Sequence, residues 1–262
     1  MTGALSPIDK AKYAAARRAA SFVEAGMSVG LGTGSTAAWL VRCLGERVRD
    51  EGLAFRGVPT SARTAQLARE VGITVVGLDQ ARWLDITIDG ADEVDGALNL
   101  IKGGGGALLQ EKIVATASDR MIVIADGAKK VETLGAFPLP VEVIPFGLQA
   151  TRALIEEMLV GLDVLGRTTT LRMNGDMPYV TDEGHHLLDL HLNRIGNPRQ
   201  LGLVLNQIPG VVENGLFIDI CDVLVTGLAD GRVEVRDLAS GTTEAAQVAF
   251  SDADNIFTDV AD

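Results

Sequence analysis

Residues Ile101 to Ala115 read IKGGGGALLQEKIVA, and the organisation of the whole chain can be worked out from this stretch. Four successive glycines, Gly103 to Gly106, remove every β-carbon from one turn, so backbone N–H groups can approach a ligand closely. Good helix formers follow at once, and a glycine-rich turn that opens a helix is a common anion site. Lys102 stands before the turn and Glu111 lies early in the helix. We expect a cation and a carboxylate to flank a bed of backbone donors, although a flexible turn between two solvated side chains would give the same pattern.

A second glycine-rich turn follows a short apolar strand, where Gly30 to Ala37 reads GLGTGSTA before another helix. Strand, glycine turn and helix form the phosphate-binding arrangement of α/β proteins. The turn also fits the dinucleotide fingerprint, but the next predicted strand ends in Pro-Thr-Ser and has no acidic residue to hold the ribose hydroxyls of NAD. The hydroxyls of Thr33, Ser35 and Thr36 could instead bind a phosphate or a sugar, or Ser35 or Thr36 could be an ordinary helix N-cap.

An acidic loop follows the strand predicted at Trp83 to Ile88, where Asp89 to Asp95 reads DGADEVD. The carboxyl ends of strands are where open α/β sheets bind ligands. A divalent cation loop is one interpretation, but the spacing and the later glutamate of a calcium hand are missing. A solvated turn is a second. We favour a third, in which Asp89 and Asp92 bind sugar hydroxyls and handle protons.

The order of predicted elements gives the fold class. Strands and helices alternate as far as the buried strand Met121 to Ala125, which predicts a parallel sheet with helices on both faces. After Pro138 the order becomes β-α-β-β-α-β, the ferredoxin-like arrangement. We therefore predict an α/β fold with a Rossmann-like domain of residues 1–138 plus 212–262. A smaller α+β domain, residues 139–211, is inserted into it as a wall or lid.

The inserted segment holds all three histidines, and His185 and His191 would share a strand face with Asp189. A zinc site is conceivable there, but half-exposed polar side chains are the simpler interpretation, so we predict no metal site. The tail from Ser240 to Asp262 is acidic and has little periodicity. We expect it to be peripheral, with a docking strand conceivable at Gln247 to Phe250.

The amino-acid composition limits the kinds of molecule that we expect this protein to bind. The chain has 262 residues with 35 acidic and 23 basic side chains, a net charge of −12, which argues against nucleic acid. A phosphorylated small molecule is still allowed, because a local lysine and helix N-termini can outweigh the global charge. No apolar run is long enough to span a bilayer, and no signal-peptide block is seen. The two cysteines lack CxxC spacing. We expect a cytoplasmic protein with no nucleic-acid or membrane partner.

Four motifs, in this order and spacing, resemble the A-type ribose-5-phosphate isomerase family. They are GTGST at 32–36, DGADE at 89–93, KGGG at 102–105 and EKI at 111–113, and PLPVEVIP at 138–145 and IPGVV at 208–212 also match. The resemblance covers about residues 8 to 235. It implies interconversion of ribose 5-phosphate and ribulose 5-phosphate without a metal or organic cofactor, by a homodimer or homotetramer. Two features depart from the family pattern: Gly106 stands where alanine is expected, and the tail beyond Asp237 is longer than expected.

The resemblance also assigns roles by position. Glu111 falls on the catalytic base, with Asp89 and Lys102 as further catalytic groups, and Lys12 matches a phosphate-side lysine. The substrate-binding positions are Thr33, Gly34, Ser35, Thr36, Asp89, Gly90, Ala91, Asp92, Lys102, Gly103, Gly104, Gly105 and Lys129. Aldose–ketose isomerisation moves a proton between C1 and C2 through an enediolate, so it needs one base that reaches both carbons. It also needs cations and N–H dipoles aimed at the oxygen that gains charge, which Lys102 and the glycine amides can supply.

Two other functions share some of these features. A sensor of sugar phosphates would need the phosphate loops but not Glu111, and it would normally carry a DNA-binding segment, of which no basic helix-turn-helix region is visible. An amino-sugar-phosphate deaminase or a phosphogluconolactonase would keep the glycine loops but not the spacing from Lys102 to Glu111. The sequence leaves the pKa of Glu111 open, because a helix N-terminus would lower it and burial would raise it.

Overall fold

The computed structural model describes residues 5–250, and one large sheet dominates it. The helices are α1 Pro7–Ala20, α2 Ser35–Glu51, α3 Ala62–Glu70, α4 Leu78–Ala81, α5 Leu108–Thr116, α6 Leu148–Leu159 and α7 Pro198–Leu205. The strands are β1 Ser28–Leu31, β2 Arg56–Pro59, β3 Thr74–Val75, β4 Ile86–Gly90, β5 Glu93–Val94, β6 Leu100–Ile101, β7 Met121–Asp126, β8 Leu139–Val143, β9 Thr168–Leu171, β10 Met173–Asn174, β11 Met177–Pro178, β12 His186–His191, β13 Val211–Asn214, β14 Leu216–Phe217, β15 Val223–Gly227, β16 Arg232–Asp237 and β17 Thr243–Gln247.

The large sheet has eight strands in the order β17-β16-β15-β7-β4-β1-β2-β3. The six strands from β15 to β3 are parallel, and β16 and β17 are antiparallel additions at one edge. Because β1, β4 and β7 are parallel neighbours, their carboxyl ends meet on one side of the sheet. That side therefore carries the glycine turn after β1, the acidic loop after β4 and Lys129 after β7.

Helix α1 lies very close to this sheet because its buried face consists mainly of alanine. A side chain at Gly227 in β15 would put its β-carbon 2.0 Å from the carbonyl oxygen of Ala11, so only glycine permits the contact. The helix begins with Ser6, whose hydroxyl accepts the N–H of Asp9. It ends at Ala20, where both the backbone N–H and the hydroxyl of Ser21 donate to the carbonyl oxygen of Arg18.

A second sheet of four antiparallel strands lies in the order β13-β8-β12-β9. With α6 between β8 and β9 and α7 between β12 and β13, the chain follows the β-α-β-β-α-β order of the predicted ferredoxin-like unit. The predicted fold class, a Rossmann-like sheet with a smaller α+β unit inserted, is thus confirmed. Strand β13 continues to Asn214, past residue 211. The division into two domains at the stated boundaries stays a prediction.

A small third sheet, in the order β14-β6-β5, fixes the start of the tetraglycine turn. Strand β6 runs directly into Lys102, whose backbone N–H donates to the carbonyl oxygen of Gly215 at 2.9 Å. The residue at 215 has to be glycine, because a β-carbon there would lie 2.4 Å from the carbonyl oxygen of Lys102. The chain on either side of Gly215, in β13 and β14, therefore joins the second sheet to the turn.

The carboxyl-terminal segment joins the large sheet rather than lying apart from it. The predicted docking strand exists, but it spans Thr243–Gln247, about four residues earlier than expected, and it pairs with β16. Ala246 and Val248 pack against the core of the large sheet. The rest of the predicted tail, residues 251–262, lies outside the described residues. Among residues 5–250, none of the helices is long and apolar enough to cross a membrane.

We expect removal of residues 240–262 to lower the melting temperature relative to removal of residues 251–262 alone. The longer truncation deletes β17 and uncovers the edge of β16, whereas the shorter one keeps both. In a chain of this size a loss of about 1 kcal/mol corresponds to about 2–4 °C, so differential scanning calorimetry can measure the difference. Equal melting temperatures for the two truncations would show that β17 adds nothing to stability.

Candidate active site

The site is organised around the buried ammonium group of Lys102. Its Nζ donates to the carbonyl oxygen of Gly90 at 2.5 Å and lies 3.0 Å from Asp89 Oδ2 and 3.2 Å from Glu111 Oε1. The side chains of Lys102, Asp89 and Glu111 are 2%, 0% and 5% exposed. An ammonium group has three N–H donors, and three acceptors surround this one.

Three separate elements deliver these side chains. Asp89 is the fourth residue of β4, Lys102 follows β6, and Glu111 lies in the first turn of α5. The turn between Lys102 and α5 reverses the chain through Gly103, which has a φ of 102° that favours glycine. The lysine and the glutamate therefore face each other across the tetraglycine turn.

The protonation of Glu111 is set by its surroundings. Burial and then the charge of Asp89 raise the pKa of Glu111 well above its ordinary value, and the charge of Lys102 only partly offsets them. Burial alone would lower the pKa of Lys102, but the charges of Asp89 and Glu111 outweigh burial and raise it. The lysine thus stays charged, while the glutamate holds a proton more tightly than an exposed glutamate would.

The second oxygen of Glu111 differs from the first, which contacts Lys102. Glu111 Oε2 is buried, and no hydrogen-bond partner for it lies within residues 5–250. A buried carboxylate oxygen without a donor is unusual in a folded protein, because desolvation penalises it. Asp89 Oδ2 is likewise buried without a partner there, but of these two residues it is Glu111 that lines the cavity described next.

The cavity has a volume of about 120 Å³ and lies at the carboxyl edge of the large sheet. Its lining includes almost every predicted site residue: Thr33, Gly34, Ser35, Thr36, Gly90, Ala91, Asp92, Lys102, Gly103, Gly104, Gly105, Glu111 and Lys129, together with Lys12. Asp89 is the exception and lies behind Lys102. The four sequence motifs thus converge on one space.

Asp89 ties the first glycine turn to the acidic loop. Its Oδ1 accepts the backbone N–H groups of Thr33 at 3.1 Å and Gly90 at 2.7 Å. Gly32 allows this approach, because a β-carbon there would lie 2.0 Å from Asp89 Oδ1. The same carboxylate therefore holds Lys102 with one oxygen and the turn with the other.

The start of α2 is open to an anion. Its N-cap is Gly34, with a φ of 110°, and in the described chain no side chain caps the helix. The interpretation of Ser35 or Thr36 as an N-cap is therefore wrong, since both residues lie inside the helix. The first N–H groups of α2 remain available to a phosphate, and Lys12 Nζ, 3.0 Å from Ser35 Oγ, adds a positive charge.

A group of hydroxyls beneath the first turn was not predicted from the sequence. Thr33 Oγ1 lies 2.8 Å from both Thr60 Oγ1 and Ser61 Oγ, and Thr64 Oγ1 donates to the carbonyl oxygen of Gly32. The available signal was that β2, next to β1 in the sheet, ends immediately before Thr60 and Ser61. These hydroxyls hold the turn in place from below.

The fourth glycine of the turn has a structural reason. Gly106 has a φ of 81°, and a β-carbon there would lie 2.3 Å from the hydroxyl oxygen of Tyr179. Tyr179 follows the β10–β11 hairpin, which rests on the turn. The departure from the expected alanine thus coincides with an aromatic ring packed against this position.

The histidines do not form a metal site with Asp189. His185 Nδ1 lies 3.0 Å from Glu142 Oε1, His191 Nε2 lies 2.9 Å from Thr170 Oγ1, and Asp189 pairs with Arg172. Among residues 5–250, no group of three or more His, Cys, Asp or Glu side chains is placed to hold a metal ion. The half-exposed polar side chains expected there are what the structure contains.

Comparisons with known proteins agree on one family. The family model for ribose 5-phosphate isomerase A (phosphoriboisomerase A) matches residues 56–231. A protein of Ruegeria pomeroyi named ribose-5-phosphate isomerase A is 76% identical over 262 residues, all of this chain and all of that protein. The tail beyond Asp237 therefore has a counterpart in that relative.

Two solved structures extend the comparison to the fold. The ribose 5-phosphate isomerase A of Methanocaldococcus jannaschii is 37% identical with a TM-score of 0.77, covering 90% of this chain and 98% of that one. A D-ribose-5-phosphate isomerase solved in complex with phospho-erythronic acid is 39% identical with a TM-score of 0.79, covering 93% of this chain and 100% of that one.

We expect Glu111→Gln to make the protein more stable than the wild type as the pH rises above about 4.3, the ordinary pKa of glutamate. A carboxyl whose pKa is higher in the folded chain contributes stability below its unfolded pKa and loses it as the pH rises through its folded pKa. Glutamine is neutral at every pH, so the Glu111→Gln variant does not lose this contribution to stability. Urea unfolding between pH 4 and pH 9 measures the difference.

Glu213→Gln is the control of opposite sign. Burial would raise the pKa of Glu213, but Lys112 and the N–H of Asn214 outweigh burial and lower it. This variant should be less stable than the wild type at neutral pH, with the difference shrinking as the pH falls. If the stability of Glu111→Gln relative to the wild type does not rise between pH 4 and pH 9, the raised pKa is contradicted.

Proposed function

This chain belongs to the ribose 5-phosphate isomerase A family, and we propose that Glu111 is the general base with which it interconverts ribose 5-phosphate and ribulose 5-phosphate. The chain is an aldose–ketose isomerase. The observation that carries the assignment of the base is that Glu111 and Asp89 each keep a buried oxygen without a partner in the described chain, and of these two residues Glu111 is the one that lines the cavity formed by phosphate-binding elements. The roles below extend that assignment residue by residue.

The phosphate of the substrate would lie at the start of α2. Uncapped N–H groups, the hydroxyls of Ser35 and Thr36 and the ammonium groups of Lys12 and Lys129 line that end of the cavity. A helix N-terminus and two cations together favour a dianion. The phosphate end would fix the sugar so that C1 and C2 reach the opposite end of the cavity, where Glu111 lies.

The proton transfer follows from the geometry of Glu111. Lys102 occupies Oε1, so Oε2 would take the proton from C2 of ribose 5-phosphate, leaving an enediolate, and would return it to C1 to give ribulose 5-phosphate. The hydroxyl proton moves from O2 to O1 in the same conversion. A carboxylate of raised pKa is a stronger base once it is deprotonated, which suits the removal of a proton from carbon.

Lys102 and the glycine turn would stabilise the negative charge of the enediolate in different ways. The three donors of Lys102 already face Gly90, Asp89 and Glu111, so its contribution is a fixed positive charge beside the developing enediolate. Direct hydrogen bonds to the oxygen would come from the N–H groups of the turn. Asp92, which lines the cavity, could exchange protons with the sugar hydroxyls.

A sensor without turnover is less consistent with the site. Binding alone does not need two carboxylates and an ammonium group buried together, an arrangement that stabilises a fold poorly. Retaining such a cluster is typical of a site that moves protons.

A relative is solved in complex with phospho-erythronic acid, which carries a carboxylate and a phosphate, and we propose that this chain binds the same compound in its cavity.

Assembly, location and domain roles are further parts of the proposal. We propose a homodimer or homotetramer in the cytoplasm, with residues 139–211 forming a lid or interface unit. The support is that several large apolar side chains of this unit are exposed, Phe146 by 89%. Exposed apolar side chains that gather in one unit are typical of interaction sites in soluble proteins.

We expect Glu111→Gln to lower kcat for ribose 5-phosphate by at least roughly 10³-fold, because the amide cannot accept the proton and general bases contribute about 10²–10⁴-fold. The affinity for phospho-erythronic acid should fall far less, since the phosphate contacts remain. Steady-state kinetics and isothermal titration calorimetry measure the two quantities.

Glu93→Gln is the matched control, a second buried glutamate outside the cavity. Its carboxylate accepts the backbone N–H groups of Gly135 and Phe137, so the variant should lose stability while kcat of the folded enzyme changes little. Equal losses of kcat in both variants, or a Glu111→Gln variant that keeps a tenth of wild-type turnover, would place the base elsewhere.

We also expect turnover to survive exhaustive dialysis against EDTA. The proposed chemistry uses carboxylate, ammonium and N–H groups alone, and aldose–ketose isomerisation by a carboxylate base requires no Lewis acid. The measurement is kcat before and after dialysis. Loss of turnover that one added divalent ion restores would overturn the metal-free mechanism.

A further inference from the structure

Arg172 connects the smaller sheet to the tetraglycine turn and has no role in the mechanism above. Its Nε donates to Asp189 Oδ2 at 2.9 Å and its Nη2 to Asp189 Oδ1 at 2.5 Å. Its Nη1 donates to the carbonyl oxygens of Gly103 at 2.8 Å and Gly104 at 3.2 Å. One guanidinium group thus holds a carboxylate with one side and two successive carbonyls of the turn with the other.

These contacts decide where the turn's N–H groups point. In a planar trans peptide the C=O and N–H bonds point in opposite directions. Arg172 draws the carbonyls of Gly103 and Gly104 to its own side, so the N–H groups of Gly104 and Gly105 are directed to the other. Gly104 N–H does point that way, donating to Asp92 Oδ2 at 2.7 Å, and Asp92 lines the cavity.

The arginine is itself fixed in place. Its side chain is 16% exposed and that of Asp189 is 18% exposed, and the pair is bidentate. Its backbone N–H donates to the carbonyl oxygen of Leu187 in β12, and its carbonyl oxygen accepts from Tyr179. A four-glycine turn has little conformational preference of its own, so an external anchor is needed to hold one set of peptide orientations.

We propose that Arg172 is a positioning residue for the isomerisation: by holding the carbonyls of Gly103 and Gly104 it orients the turn so that the Gly105 N–H stabilises the enediolate oxygen, while the Gly104 N–H ties the turn to Asp92. This inference rests on the proposed function. A lysine could not replace it, because a single ammonium cannot hold a carboxylate and two carbonyls in the fixed geometry of the guanidinium fork. The turn's donors are thus set by a residue 68 positions away from Gly104 in the chain.

Arg172→Gln tests the proposal, with Arg152→Gln as the matched control. Arg152 also bridges a carboxylate and a carbonyl, through Glu156 and Thr169, but it lies outside the cavity and the turn. We expect Arg172→Gln to lower kcat for ribose 5-phosphate about 10–100-fold, less than loss of a whole oxyanion donor. Arg152→Gln should leave kcat within about twofold of the wild type, as its arginine touches no reacting group.

Binding measurements separate positioning from general loosening. In Arg172→Gln the affinity for phospho-erythronic acid should fall in parallel with kcat, while the affinity for inorganic phosphate stays unchanged, because the anion site at α2 is untouched. If the glutamine variant does not fold, Arg172→Lys keeps the positive charge and should show the same pattern. Equal losses of phosphate and phospho-erythronic acid affinity, or kinetics matching Arg152→Gln, would overturn the proposal. A wild-type protein that does not convert ribose 5-phosphate would instead refute the proposed function.

Discussion

The burial of Lys102 between Asp89 and Glu111 is the constraint on which the site depends. Two buried carboxylates this close together, with no bulk water to screen them, would repel each other. The ammonium group between them offsets that repulsion. The two acids then differ in character. Asp89 has its Oδ1 satisfied by backbone N–H groups and does not line the cavity, whereas Glu111 lines the cavity and has a pKa raised by burial. Each of them keeps one buried oxygen without a hydrogen-bond partner in the described chain. One cation thus holds side by side an acid that is bound to the backbone and an acid that borders the cavity.

The parallel sheet makes this cluster possible by bringing distant segments to one edge. β1 and β4 are hydrogen-bonded neighbours, so Thr33 and Asp89 meet although 56 residues separate them. Glycine at position 32 then lets the backbone and the carboxylate touch. The short sheet of β5, β6 and β14 performs the same task for Lys102, because it fixes the strand that ends immediately before that residue. Strand pairing therefore sets the approximate positions of the site residues. Glycine, which has no side chain, then lets the backbone and the neighbouring side chains come into contact.

Much of the fold and site could be predicted because their signals are local. Each motif is a short run at the end of a strand, and the rule that parallel strands end at one edge is enough to bring the runs together. The pKa of Glu111 could not be predicted, because it depends on distances among side chains of three elements. Arg172 and Tyr179 were missed for a related reason. Arg172 contacts carbonyl oxygens of the turn, and Tyr179 packs where Gly106 has no β-carbon. Neither contact produces a recognisable sequence pattern near residue 172 or 179. The hydroxyls of Thr60 and Ser61 are an intermediate case, since the strand before them was predicted from the sequence but its position beside β1 in the sheet was not.

The packing of Tyr179 against Gly106 also limits the order in which this sequence can change through evolution. An alanine at 106 would place its β-carbon where the phenol ring now lies and would be strained at the positive φ of this position, so the substitution requires both a smaller or displaced residue 179 and a different backbone conformation of the turn. The reverse order, loss of the ring first, leaves a gap but no overlap. The two positions therefore form an epistatic pair, and among related chains we expect side-chain size at 106 to vary inversely with size at 179. A lineage that has acquired the tyrosine is held to glycine for as long as the ring stays in place.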